Sequence, residues 1–158
     1  MNDDVLRESL AGLFLASHAH VDPKKALAGV KPKLRGVRPG PKVPSVWEEL
    51  EHLRIAQEDL LRYTLDPAWK SPEWPDGYWP RTGEVPTERQ WRASVAAFLR
   101  DTRSLAELAR DRGCDLTAPI PHGGAHTPLR EILLAAVHNA YHLGQIVQTR
   151  RLLKNWPG

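Results

Sequence analysis

Toward the C-terminal end of the sequence, His138 and His142 stand four residues apart in a mostly apolar stretch. Wound as a helix at about 100° per residue, Leu129, Ile132, Leu133, Ala136, Leu143, Ile146 and Val147 spread around most of the circumference. Glu131, His138, His142, Gln145 and Thr149 fall within one narrow stripe. A helix apolar on most sides is expected to be buried, and polar groups in such a setting are costly unless something satisfies them. Two imidazoles one turn apart on one face can grip a single divalent ion, as in helical HExxH zinc sites. The spacing alone is weak evidence, since any two helical histidines four apart meet it, and a hydrogen-bonded core pair is the plainer reading.

A third ligand has to come from another helix. Of the other histidines, His52 lies inside a predicted helix, at the edge of its apolar arc and near Asp59. His18 and His20 are expected at the frayed end of the first helix, and His122 and His126 in a Pro/Gly loop, where solvation is the expectation. Three imidazoles leave a coordination position open, as catalytic zinc sites do. An ion held there lowers the pKa of a bound water or thiol toward neutrality.

The elements that must position these residues are legible from their ends. Val5, Leu6, Leu10, Leu13 and Phe14 predict a first helix over residues 3–20. Asp22-Pro23 reads as an N-cap followed by proline at the first helical position, opening a short helix that ends near Gly29. Ser45-Val46-Trp47-Glu48 and Thr87-Glu88-Arg89-Gln90 match capping boxes, in which the two side chains satisfy each other's orphan backbone donors. The helices they open are expected to reach about Thr64 and Gly113. Thr127-Pro128 opens the last helix, expected to reach about Lys154. No Val/Ile/Thr alternation argues for a sheet. The expectation is an all-α chain, a four-helix bundle with long ordered connections, forming one domain over residues 1–158. The segment 66–86, rich in proline and carrying Trp69, Trp74 and Trp79, is too broken for a helix and too aromatic for a floppy linker, so an ordered loop packed on the bundle with its aromatics buried is expected.

Composition narrows the classes. The net charge of +3 is mild, and Lys31, Lys33, Arg35, Arg38 and Lys42 supply much of the basic excess from one Pro/Gly-rich loop, expected to be a solvated connection. No aromatic residue is interleaved with them, so no base-stacking platform is suggested and no nucleic-acid partner is expected. No apolar stretch approaches the ~20 residues that cross a bilayer, so no membrane role is expected. Met1-Asn2-Asp3-Asp4 is acidic where a secretory leader is basic, and the single Cys114 suits a reducing compartment, so the expected location is the cytoplasm. Cys114 follows the end of a helix, where the dipole disfavours a thiolate, and it is read as non-catalytic.

The sequence resembles the DinB/YfiT-like family over nearly its whole length. The resemblance is carried by Ser45-Val46-Trp47-Glu48-Glu49-Leu50-Glu51-His52, by Trp79-Pro80, by the segment from Asp115 to Gly123, and by His138-Asn139-Ala140-Tyr141-His142-Leu143-Gly144-Gln145. It implies an up-down-down-up four-helix bundle and a divalent metal, zinc or nickel among others, on His52, His138 and His142. It also implies a homodimer and, as in some relatives, transfer or isomerisation of small molecules with a bacillithiol- or mycothiol-type thiol.

Three functions follow as expectations. In a thiol-dependent transferase the metal holds the cosubstrate as its reactive thiolate, with Gln145, Thr149 and Asp59 available to orient groups. In a metal-dependent hydrolase using metal-bound hydroxide, Glu48, Glu49 or Asp59 supplies the general acid or base. In a non-enzymatic metal-binding stress protein the metal is structural, a role that usually recruits four protein ligands rather than three.

Overall fold

The computed structural model describes residues 3–15 and 19–157; His18 lies outside them. Four bundle helices and one short helix follow in order: α1 (Asp3–Leu15), α2 (Pro23–Leu27), α3 (Val46–Leu65), α4 (Glu88–Arg110) and α5 (Pro128–Leu152). The predicted starts hold. The Ser45 hydroxyl accepts from the Glu48 amide at 3.2 Å while the Glu48 carboxylate accepts from the Ser45 amide at 2.7 Å. Thr87 and Gln90 repeat the arrangement on α4, and Thr127 caps α5 ahead of Pro128.

Three contacts give the topology. Arg7, near the start of α1, donates to the carbonyls of Ala109 and Asp111 at the end of α4, so these helices are antiparallel. Trp47 packs on Trp91 with centroids 6.5 Å apart, and further along Gln57 donates to the Phe98 carbonyl, so α3 and α4 are parallel. Glu49 meets His142 and His52 meets His138, so α3 and α5 are antiparallel. The result is an up-down-down-up four-helix bundle in which α4 packs on α1 and α3, and α3 also on α5.

Two apolar clusters fill it, one around Leu10, Phe14, Leu105 and Ile132, the other around Trp47, Leu53, Phe98 and Ile146. A buried polar knot ties three helices together. Gln57 Oε1 accepts from Thr102 and, at 2.6 Å, from Asn139, while its amide donates to α4. The parallel α3–α4 pair needs a long return connection. Residues 66–87 provide it, with a short 3-10 turn at Asp76–Tyr78.

Four expectations are corrected. The described part of α1 ends at Leu15 and residues 19 and 20 form a bend, so the helix does not reach residue 20; residues 16–18 lie outside the described ones. α5 is not buried on all sides, since Leu133, Leu134, Val137 and Tyr141 face outward. The tryptophans of the 66–86 segment are not all buried: Trp74 is 73% exposed. The basic loop is not wholly solvated. Arg35 is buried, pairs with Glu88 at 2.6 Å and lies over the Trp91 ring. Arg38 pairs with buried Glu48 at 2.8 Å. Their partners lie far along the chain or in the capping box, out of reach of a local reading.

Ser45→Ala removes one half of the α3 capping box and should lower unfolding free energy by about 1 kcal/mol. Urea unfolding followed by far-UV circular dichroism checks it, and an unchanged midpoint would show that the cap is energetically idle.

Candidate metal centre

His52 on α3 and His138 and His142 on α5 come together, with their ligand atoms within 4.8 Å of one another. The antiparallel α3–α5 contact places them. His52 faces α5 from the buried side of α3, and the i, i+4 pair presents both rings from one face of α5. The Nε2 atoms of His52 and His138 are 3.0 Å apart.

Two of the rings are oriented by what they hold at Nδ1. His52 donates Nδ1–H to the Tyr78 carbonyl at 2.9 Å, and His142 donates Nδ1–H to the Glu49 carboxylate at 2.6 Å. Each bond fixes the tautomer and leaves Nε2 as a bare lone pair, the usual preparation of a metal-binding imidazole. Trp79 lies flat on His52, 3.9 Å between centroids and 3° between planes, which fixes the ring plane. His138 is different: its Nδ1 is buried without a hydrogen-bond partner. With a proton on Nε2 the ring donates to His52 and strands Nδ1 as an acceptor. With the proton on Nδ1, two lone pairs face each other across 3.0 Å. A cation between those lone pairs relieves that second arrangement, so the donor set fits a divalent metal of the borderline class that imidazole suits.

Burial, reinforced by His142 and His52, pushes the His138 imidazole down to about 3. Burial likewise lowers His52, opposed by the Tyr78 hydrogen bond and aided by His142. Unprotonated rings are what a metal requires.

Beside the histidines opens a cavity of about 480 Å³, lined also by Ala56, Asp59, Leu60, Trp74, Tyr78, Trp79 and Leu134. Asp59 accepts from the Tyr78 hydroxyl at 2.6 Å and from the Trp69 indole at 2.8 Å. Burial and that carboxylate push the Tyr78 phenol up to about 12.

The remaining candidates stand elsewhere. Glu48 is held by Ser45 and Arg38; burial alone would raise its carboxyl, and these partners outweigh it and keep it low. Thr149 donates to the Pro44 carbonyl, and neither it nor Gln145 lines the cavity. His122 bonds the Tyr63 carbonyl and His126 meets buried Glu131. His20 bonds the Val21 carbonyl, away from the cluster. The Cys114 thiol is pushed up by burial and by Asp111, against a nucleophilic role. Sequence reasoning missed Tyr78, whose contribution is a backbone carbonyl with no side-chain signal, and the orienting role of Glu49. A carboxylate three residues before His52, on the helix face toward α5, was the available clue for Glu49.

An all-α bundle with three converging imidazoles at one flank defines a class of helical metal-site proteins. The chain matches the DinB superfamily over residues 24–146 and belongs to that family. No curated protein and no solved structure matches it.

The lowered His138 has a consequence for stability. Between 6.5 and about 3 the unfolded chain carries a proton that the folded ring does not, so stability of the metal-free protein should fall as pH drops through that window. Denaturant midpoints measured across it should show the fall in the wild type and a shallower one in His138→Gln. Equal steepness in the two proteins would remove His138 as its source.

Proposed function

We propose that the protein is a divalent-metal enzyme acting on small molecules, with zinc or nickel on His52, His138 and His142. In the same reading a low-molecular-weight thiol of the bacillithiol or mycothiol type is transferred to an electrophile. The observation that carries this is the pair of preset tautomers, which leave the Nε2 lone pairs of His52 and His142 in one cluster with His138. Bound there, a divalent ion would supply the Lewis acidity that keeps a thiol deprotonated near neutral pH, where a free thiol of pKa ~8.5 is mostly protonated.

The chain's own groups do the rest. Tyr78 and Trp79 hold His52 in place, and Glu49 holds His142. Leu60, Leu134 and Trp74 wall the cavity.

Two rival readings meet observations against them. A hydrolase needs a free acid or base, yet Glu48 and Glu49 are engaged and Asp59 already accepts two hydrogen bonds. A closed structural site has no use for a cavity of about 480 Å³ beside its ligands. The outward apolar row of Leu133, Val137 and Tyr141 supports a homodimer. The single half-buried thiol of Cys114 accords with a cytoplasmic setting. The engagement of Arg35 and Arg38 within the fold supports the absence of a nucleic-acid partner.

Cobalt-loaded protein titrated with cysteine-type thiols should develop a sulfur-to-metal charge-transfer band, absent in His142→Ala. Glu49→Gln should keep the fold and bind metal about 10–100-fold more weakly. A wild type that loads cobalt but gives no band with any low-molecular-weight thiol ends the transferase reading. Full metal occupancy in His142→Ala ends the ligand assignment.

A further inference from the structure

The cavity beside the histidines has an uneven charge pattern. Neither lysine nor arginine lines it, and its single acidic side chain is Asp59, on the α3 side of the wall. Asp59 is 7% exposed. Its two oxygens are fixed by the Tyr78 hydroxyl and the Trp69 indole, both neutral donors. Among the described residues no lysine or arginine forms an ion pair with it. Arg62, on the same helix, is engaged instead over the Trp69 ring at 3.9 Å and with Asp66 at 2.9 Å. A carboxylate taken out of water with no cationic partner is costly, and it faces a cavity a ligand can enter.

The walls near it are aromatic. Trp74 and Tyr78 meet at 5.5 Å and 62°, forming a corner of two rings, and Trp79 continues the surface to His52. Electron-rich rings around a carboxylate are the surroundings that attract an organic cation, by ring quadrupole and by charge together. A neutral apolar ligand would fill the same space and leave Asp59 uncompensated. An anion would be repelled by it.

Resting on the reading of this cavity as the substrate pocket, we infer that its Asp59–Tyr78–Trp74 end binds a small organic cation, an ammonium or guanidinium group. His52 and Asp59 are seven residues apart on α3, about 10 Å along the helix. The substrate class is therefore a compact molecule with a soft donor atom for the histidine end and a positive group within about 10 Å of it. An aminothiol has this form.

The probes are benzylammonium, benzyl alcohol and benzoate, matched in size and differing in charge, added to metal-free protein. Dissociation constants and the shift of the Trp69 indole proton are read by NMR. Benzylammonium should bind about tenfold more tightly than benzoate, with benzyl alcohol between them. Asp59→Asn should bring benzylammonium to the level of the alcohol. Trp74→Ala, which removes an exposed ring and leaves the core untouched, should weaken benzylammonium several-fold and keeps the test available if Asp59→Asn fails to fold. Equal or stronger binding of benzoate, or an unaffected Trp74→Ala, overturns the inference. Zinc uptake by the same preparations is scored separately. Protein that loads zinc but shows no preference for the cation sinks this inference alone. Protein that prefers the cation but takes up no metal sinks the metal-enzyme reading alone.

Discussion

Because α3 and α4 run in the same direction, the chain leaving Leu65 has to travel back along the bundle before α4 can begin at Glu88. α3 has 20 residues, which is about 30 Å of helix, so no tight turn can make the connection. The return segment runs beside α3, and this brings the Tyr78 carbonyl and the Trp79 ring to His52, and the Trp69 indole to Asp59. A proline-broken segment suits this route. It cannot satisfy its carbonyls in a helix of its own, so a carbonyl such as that of Tyr78 is left for a side chain. The wall of the site is thus a consequence of the topology, and the site could not exist in an up-down-up-down bundle with short loops.

The start of α3 sets the register of everything on the other side of that wall. Glu48 closes the capping box with Ser45 and pairs with Arg38 from the preceding loop, so one carboxylate fixes both the first turn and the strap that leads into it. With Glu48 pinned there, Glu49 points about 100° away around the helix, toward α5, and meets His142. One turn further on, His52 faces α5 and meets His138. Two adjacent glutamates therefore have unlike jobs, one holding the helix and the other holding a histidine. Their difference comes from helical phase alone.

That phase is what made much of the molecule legible in the sequence. Caps at Ser45, Thr87 and Thr127 marked helix starts, because the chemistry of a cap is confined to four consecutive residues. The i, i+4 histidines on α5 and the buried side of α3 were enough to bring His52, His138 and His142 together. What stayed out of reach was carried by pairs distant in sequence or by the backbone. The Tyr78 carbonyl has no residue signature. Arg35 looked like one of five solvated cations because Glu88 is 53 residues away. The open side of α5 was hidden for a different reason. Leu133 read as part of the apolar circumference, and only the packing of α3 on the opposite side shows that it lies with Leu134, Val137 and Tyr141 on the part of the helix left uncovered.

The balance of charge around the cluster links these features. Imidazoles bring no charge to an ion when they ligate it as neutral bases, so compensation of a dication must come from further out. Glu49 stands behind His142 and Asp59 across the cavity, and neither is paired with an arginine or lysine among the described residues. With a divalent ion bound, two carboxylates around three neutral donors would bring the site close to neutrality before any ligand arrives. On the proposed function, an incoming thiolate would add a negative charge to surroundings already balanced. In a low-dielectric cavity that charge is held cheaply only if a positive group accompanies it. The same molecule can supply both charges when its cation rests among Trp74, Tyr78 and Asp59 while its sulfur lies toward the histidines. The uneven lining of the cavity and the neutral donor set then have one electrostatic explanation.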